Sequence, residues 1–451
     1  MPRINPMKGF LSLALLALAV AFLVESLALS EDFGPFRKRR AAPASQPLAR
    51  CVTETGSMLV KKAGDYQWRV VSKGDEFCPG DTILSGAGSQ IENRAGTVRV
   101  TFRGDLAGNS PLPIRETVAT IFPINDSGID FALGFERGRV EFTNLKEKGA
   151  ATVTVNLLDE EDSSTVKLLE PDSSCALEIL GTWPGGVHFD PKAAKPAEPS
   201  YELIYVVLKG KTEINDEGVT HILSAPPGPA MLRWNSHSDN LPVKLKLEKL
   251  PAWASPPDRT DPVVQQRLPI IMDLRAQFAS GKGIDDVLDE MVQSGDEAKR
   301  YLAMNLFGAM DRMDKIAQHV NQTKYHDVID NSVIVLRHWI GRKAGQADLI
   351  FKFLTSSRQY TPAQAEVFVN LLHSFSTAEL RQPETYEILM DYMGSQKTGI
   401  RGLAHWHLER LVPKGKEISF NPAAPVEIRK QALEKWRKLV PKGKVPPRTL
   451  D

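Results

Sequence analysis

Leu250-Pro251-Ala252-Trp253-Ala254-Ser255-Pro256-Pro257-Asp258-Arg259-Thr260-Asp261-Pro262 (LPAWASPPDRTDP) separates two kinds of periodicity in the chain. The prolines at 251, 256, 257 and 262 remove backbone donors and fix φ, so neither a helix nor a sheet ladder runs through them. On the N-terminal side, Val98-Arg99-Val100-Thr101-Phe102-Arg103 alternates strictly, as do Val153–Leu157 and Val243–Glu248. Period two places one face on a core and the other in water. Turn signals recur at Lys73-Gly74-Asp75, Pro79-Gly80-Asp81, Asn125–Gly128 and Asn215–Gly218. Short strands punctuated in this way predict a sandwich or other all-β architecture over residues 51–250.

On the C-terminal side the period becomes 3.6. Val328, Ile329, Val333, Leu336, Trp339 and Ile340 share a helical face. So do Ile400, Leu403, Ala404, His407, Leu408, Leu411 and Val412, and Ile428, Ala432, Leu433, Trp436, Leu439 and Val440. Asp296-Glu297 and Thr361-Pro362-Ala363 read as helix starts. About nine or ten amphipathic helices are expected over 263–441, as an antiparallel bundle or a solenoid of helix pairs. Residues 251–262 read as a proline-rich linker and 442–451 as a basic tail.

The composition fits a folded chain of several domains: 451 residues, 42% hydrophobic and 25% charged. With 56 Lys plus Arg against 55 Asp plus Glu, the formal net charge is +1, which argues against a nucleic-acid partner. The mean hydropathy of −0.24 excludes a polytopic membrane protein and leaves room for one membrane segment. Three cysteines are too few for a disulfide scaffold or a four-cysteine zinc site.

Gly9–Val24 (GFLSLALLALAVAFLV) contains only apolar and small residues, and apolar character resumes at Leu27–Leu29. With Leu29 included the run reaches the roughly 20 residues that span a bilayer. Arg3 and Lys8 precede it, and Ser26-Leu27-Ala28 and Ala28-Leu29-Ser30 resemble cleavage sites, so residues 1–30 read as a signal anchor or a cleaved signal peptide. Arg37-Lys38-Arg39-Arg40 opposes export by the positive-inside rule and reads as a solvated flank against anionic lipid heads. It lies in a basic, Pro/Ala-containing linker over 31–50.

Within the strand region, the order of several pieces resembles a FecR-like domain. They are Gly56–Val60, Trp68–Val71, Gly74-Asp75, Gly80–Ile83 and Val98–Phe102, then Val166–Pro171, Leu180-Gly181-Thr182-Trp183, Val206–Ile214 and Ile222–Gly228. The resemblance spans roughly 50–235. It implies an extracytoplasmic β-rich domain tethered by one membrane helix; in the iron-citrate regulators such a domain relays a signal to a sigma factor. This chain departs from that scheme: only about eight residues precede the apolar run, and Glu170-Pro171 replaces the usual Thr-Pro. Gly399–Leu408, Asn421-Pro422, Arg429, Ala432, Trp436 and Pro446-Pro447 resemble the close of HEAT-like modules in large bacterial surface proteins, which implies a protein-binding scaffold.

Motifs for chemistry are sparse. The chain contains no His-Glu-x-x-His, Gly-x-Ser-x-Gly or Cys-x-x-Cys. Gly394–Gly399 lacks the glycine loop of a phosphate cradle and reads as a helix-to-helix turn with a left-handed glycine. Gly86-Ala87-Gly88 lacks the third glycine of a dinucleotide fingerprint. His405 and His407, two apart on a helix, point about 200° apart and cannot hold one ion; His407 reads as a core histidine. His319 and His326 cross a helix boundary near Asn321. Asp159–Asp162 reads as a solvated acidic turn rather than a calcium loop. Cys175 reads as a buried strand residue. Cys51 and Cys78 form a candidate disulfide, which would constrain the unfolded chain by about 3 kcal/mol in an exported domain.

The expectation is therefore a multidomain, non-enzymatic scaffold without catalytic residues, metal or cofactor. It would sit in the bacterial inner membrane by a single pass through residues 9–29, with its bulk extracytoplasmic. Its partner would be an envelope protein, with no nucleic acid and no small-molecule substrate. The alternatives are an exported soluble form after signal cleavage, a regulator of an ECF-type sigma factor acting through a partner, and an exported hydrolase with a site built from distant residues.

Overall fold

The computed structural model describes residues 46–104, 116–157, 163–216, 218–237, 241–255, 257–357 and 359–446, which belong to one compact unit. The apolar run 9–29, the basic cluster 37–40 and the acidic turn 159–162 lie outside the described residues. Among the described residues, no helix is long and apolar enough to cross a membrane.

Strands build the N-terminal region and helices the C-terminal one. One sheet runs in the order β4 (Glu76–Phe77), β1 (Ala49–Cys51), β6 (Ser89–Asn93), β7 (Val98–Phe102), β9 (Phe131–Asn144), β12 (Ser174–Thr182), β13 (Ser200–Lys209), β16 (Pro229–Asn235), β17 (Val243–Lys246). The other runs β3 (Trp68–Val70), β2 (Met58–Lys61), β5 (Thr82–Ser85), β8 (Thr117–Ile121), β9, β10 (Ala151–Leu157), β11 (Ser163–Leu168), β14 (Lys211–Asp216), β15 (Val219–Ser224).

The long strand β9 belongs to both sheets. Its first half pairs with β8 and, in parallel, with β10; its second half pairs with β7 and β12. The change of sheet falls at Gly138, with φ +96°, a conformation costly for any residue with a Cβ. A Cβ there would also strike the Glu116 carbonyl and Thr117. Val100, Phe142, Leu177 and Tyr205 of the first sheet interdigitate with Ile83, Leu133, Val153 and Val166 of the second in one sandwich core.

The alternation at 98–103 and 153–157 is therefore the inward face of the sandwich, with Val98, Val100, Phe102, Val153 and Val155 fully buried. The third alternating stretch behaves differently. Strand β17 pairs only with β16 among the described strands, and its Val243 and Leu245 are exposed because no described residue covers either face of this edge.

The helices are α1 (Pro262–Ala279), α2 (Ile284–Val292), α3 (Glu297–Ala309), α4 (Met313–Gln322), α5 (His326–Ile340), α6 (Gln346–Ser356), α7 (Pro362–Leu372), α8 (Pro383–Met393), α9 (Thr398–Leu411) and α10 (Val426–Leu439). The expected starts are present. Asp296 caps α3 by accepting from the Ala298 amide at 2.8 Å, and Thr361 with Gln364 forms a capping box on α7. Each of α2, α4, α6 and α8 packs on its successor, while α3, α5, α7 and α9 touch in succession. Helix α9 also reaches back to α4 and α5, so the row of pairs curls strongly. The stripe on α5 is buried as expected, and so is that on α9 except for the half-buried Leu411; on α10, Ala432 and Trp436 are buried but Ile428 is exposed.

Residues 251–262 run from the sandwich to α1 without hanging free. A short 3₁₀ turn at Ala252–Ala254 buries Ala254, whose carbonyl accepts from Arg103 Nη1 at 3.1 Å, and the Trp253 ring lies 5.0 Å from the Arg139 guanidinium.

Candidate functional site

The two regions meet along a seam, and its origin lies in strands that are apolar on both faces. In β2, Met58 and Val60 point into the sandwich while Leu59 joins the helical core; in β5, Ile83 points inward and Leu84 outward; in β8, Ala119 and Ile121 point inward and Val118 outward. Trp68, Val70, Trp183 and Phe189 join the same helical core. A sheet buried on both sides needs such continuous apolar runs.

Polar groups then position the helices on the sheet. The last carbonyls of a helix have no partner within it, and its C-terminus carries partial negative charge. Here donors from the strand region fill that need. Arg137 Nη2 donates to the Ala309 carbonyl at 2.8 Å and Trp68 Nε1 to Met310 at 3.4 Å, both at the end of α3. Trp183 Nε1 donates to the Ile340 carbonyl at 2.8 Å, at the end of α5. Farther along, the Phe189 amide donates to Asn370 Oδ1 at 2.9 Å and Asn370 Nδ2 returns a bond to the Phe189 carbonyl at 3.3 Å. Gly181 of β12 abuts Gly341, and a Cβ on either would strike the other's carbonyl.

A buried carboxylate sits at the centre of this seam. Glu116, just before β8, lies 3.0 Å from Arg342 Nη2, 3.6 Å from Arg137 Nε and 3.8 Å from His338 Nδ1. Burial pushes its carboxyl up, and the cations around it outweigh that and hold it below the usual range. Burial pushes the His338 ring down to about 4, so at neutral pH the two guanidiniums supply the compensation. Arg342 Nη1 also ties the seam to the end of α3, donating to the Gly308 carbonyl and to Asp311 Oδ1, both at 3.1 Å.

Beside Glu116 the seam opens into a cavity of about 550 Å³. Its strand wall is Gly56–Leu59, Leu84 and Gly86-Ala87, and its helical walls come from α1 and α3, with Asn331 of α5. Leu59, Leu84, Ile270, Leu274 and Phe278 make it largely apolar, and the exposed Gln266 and Glu297 lie at its edge. The volume is in the range of small-molecule sites, roughly 300–1,000 Å³.

The candidates read from the sequence do not converge on this place or on each other. Cys51 and Cys78 are not bridged: the Cys51 thiol, buried on β1, donates to the Thr53 carbonyl at 3.4 Å, and Cys78 lies on the turn after β4. Cys175 is buried in β12 and burial pushes its thiol up to about 12, which suppresses thiolate chemistry. His405 packs among Phe420, Trp436 and His326, whereas His407 contacts Phe375 and makes a 2.7 Å bond from Nε2 to the Leu371 carbonyl. Burial pushes both rings down to about 3. His319 and His326 pair with different carboxylates, Asp289 and Asp330. Among the described residues, no group of three or more His, Cys, Asp or Glu is placed to hold a metal ion. The 394–399 segment does join α8 to α9, but Gly394 has φ −82° and ends α8 in the right-handed region, not the left-handed one expected.

The seam residues were missed at the sequence level. Nothing in the sequence singles out Arg137, Arg275 or Arg342. The signal that could have found the seam is the break in alternation at Met58-Leu59-Val60 and Thr82-Ile83-Leu84-Ser85, where adjacent apolar residues require two covered faces. No family model, curated protein or solved structure matches the chain.

Proposed function

We propose that the chain is a non-enzymatic interaction protein, held at the bacterial inner membrane through residues 9–29, whose FecR-like strand region and HEAT-like helical region act outside the cytoplasm as one recognition body for an envelope protein. The observation that carries this reading is the seam. A shared apolar core, side chains capping the ends of α3 and α5, and the Glu116 cluster fix the two regions to each other. Rigid scaffolds that present a composite surface are the use to which such construction is suited. The curled row of helix pairs supports the HEAT-like part of the reading.

A reporter enzyme active only outside the cytoplasm, fused after Ser45, tests location: activity is expected, and a fusion active only in cytoplasmic form overturns the reading. Crosslinking of the full chain in intact cells tests function. A reproducible envelope protein whose capture is lost when the seam is broken by Gly181→Val is expected; capture of a sigma factor instead would favour the regulatory alternative.

A further inference from the structure

The seam cavity holds a guanidinium that the protein itself leaves without a carboxylate. Arg275, on α1, lines the cavity, and its Nη2 donates to the Ala87 carbonyl at 3.3 Å. Among the described residues no carboxylate pairs with it. Burial alone pushes its guanidinium pKa down, with no neighbouring acid acting against that shift. This contrasts with the other seam guanidiniums, since Arg342 and Arg137 both meet Glu116. Asn331, on α5, also lines the cavity and is 6% exposed.

The surroundings specify the rest of the ligand. Leu59, Leu84, Leu274 and Phe278 offer an apolar wall on both the strand and helix sides. The Glu116 carboxylate at the cavity is already matched by Arg342 and Arg137, and the other lining carboxylate, Glu297, is exposed at the edge, which leaves the Arg275 guanidinium without a carboxylate among the described residues. An apolar body with a carboxylate head satisfies these features; a doubly charged phosphate head would bring a second negative charge beyond the one that Arg275 matches. We propose that the seam cavity binds a single-chain amphiphile with a carboxylate head, the carboxylate on Arg275 and the chain along Leu59, Leu84, Leu274 and Phe278. Guanidinium and carboxylate match in a bidentate fork, and Asn331 supplies an amide donor within the same cavity. The site makes no demand on where the protein resides or which protein it meets, so its failure leaves the proposed function standing.

The test uses the purified full chain in lipid nanodiscs, with empty nanodiscs as the blank. Dansyl-aminoundecanoate is titrated by fluorescence, and sodium dodecanoate and dodecanol are added as competitors. Saturable binding at one site per chain is expected, displaced by dodecanoate and at least about tenfold less well by dodecanol, which lacks the charge-assisted bond. Arg275→Met is expected to weaken dodecanoate about tenfold or more and to leave dodecanol unchanged. Leu274→Trp, which fills the cavity, is expected to abolish binding of both. Thermal melts of each variant identify any that fail to fold, and Asn331→Leu then serves as the second variant, with weakened dodecanoate binding expected. Binding no greater than to empty nanodiscs, equal displacement by dodecanol and dodecanoate, or full affinity in folded Arg275→Met would each overturn the proposal.

Discussion

Lowering the pH from 6.5 to 5 should remove much of the folding free energy of this protein, because four histidines are held neutral in its interior. Burial pushes His338 and His373 down to about 4, and His405 and His407 down to about 3. In the unfolded chain each would titrate near 6.5. A folded pKa below the unfolded one means that stability is intact above about 6.5 and is lost as pH falls toward the folded value. At pH 5 each ring therefore costs the folded state about 1.5 pH units of proton binding, or about 2 kcal/mol at ~1.4 kcal/mol per unit, and the four together about 8 kcal/mol. One group opposes them. Burial raises the Asp330 carboxyl to about 6, so the folded state takes up that proton first and recovers about 1 kcal/mol over the last unit. The net loss is about 7 kcal/mol, against a typical total of about 5–15 kcal/mol. The lowered Glu116 carboxyl adds its loss only below about 4.3. Urea unfolding curves at pH 7, 6 and 5 measure this, with the midpoint falling and the slope m unchanged. His405→Phe, a replacement suited to the ring pocket of Phe420 and Trp436, should reduce the pH dependence by one proton, about 1.4 kcal/mol per pH unit. A midpoint that does not move between pH 7 and 5, or an unchanged pH slope in His405→Phe, would refute the reasoning.

Other consequences follow from the seam and the helix ends. Gly181→Val should destabilise by about 3 kcal/mol or more through overpacking against the Gly341 carbonyl, and amide exchange should speed up at the end of α5 before it does in the sandwich core. Glu116→Gln should cost about 3 kcal/mol in thermal unfolding because it leaves Arg342 only Asp311 and Arg137 only Glu136 as carboxylate partners, and adding Arg342→Met should recover part of that loss. Thr361→Ala should cost about 1 kcal/mol by removing the side-chain acceptor of the Gln364 amide in the α7 capping box.

The large divisions of the fold were legible because they depend on local periodicity. Alternation at Val98–Phe102 and Val153–Leu157 depends on a pleat, and the stripe Val328–Ile340 on a turn of 3.6 residues; neither needs to know what lies across the core. The seam was not legible because its parts are far apart in the chain. Glu116 and Arg342 are 226 positions apart, and Trp183 and Ile340 are 157 apart. An arginine bound for a buried carboxylate is chemically the same as one bound for water until the partner is placed. The resemblance pieces carry one part of it unrecognised: Leu180-Gly181-Thr182-Trp183 supplies both the glycine that meets Gly341 and the indole that caps α5. The cavity was invisible for the same reason, since its walls come from β2, β5, α1 and α3. The cysteine pair failed differently: a spacing of 27 permits a bridge without bringing the two sulfurs together.

The same seam decides whether the chain unfolds in one step or two. If the strand region came away intact, Leu59, Leu84 and Val118 would be exposed on its outer face. At about 1.5–3 kcal/mol each, that burial is worth roughly 5–9 kcal/mol before Trp68 and Trp183 are counted. The helical side would lose the Arg137, Trp68 and Trp183 bonds to the ends of α3 and α5, and Arg342 would lose Glu116. A sum of this size is comparable with the stability of a whole domain, so neither part has a folded state that survives loss of the other by a wide margin. Helix content from circular dichroism and the environment of Trp68 and Trp183 from fluorescence should therefore change together along a urea gradient, with one midpoint. Two separated midpoints, or a soluble strand fragment that ends near residue 250 and keeps its sheet signal, would show that the seam is a contact between independent domains and not part of a single core.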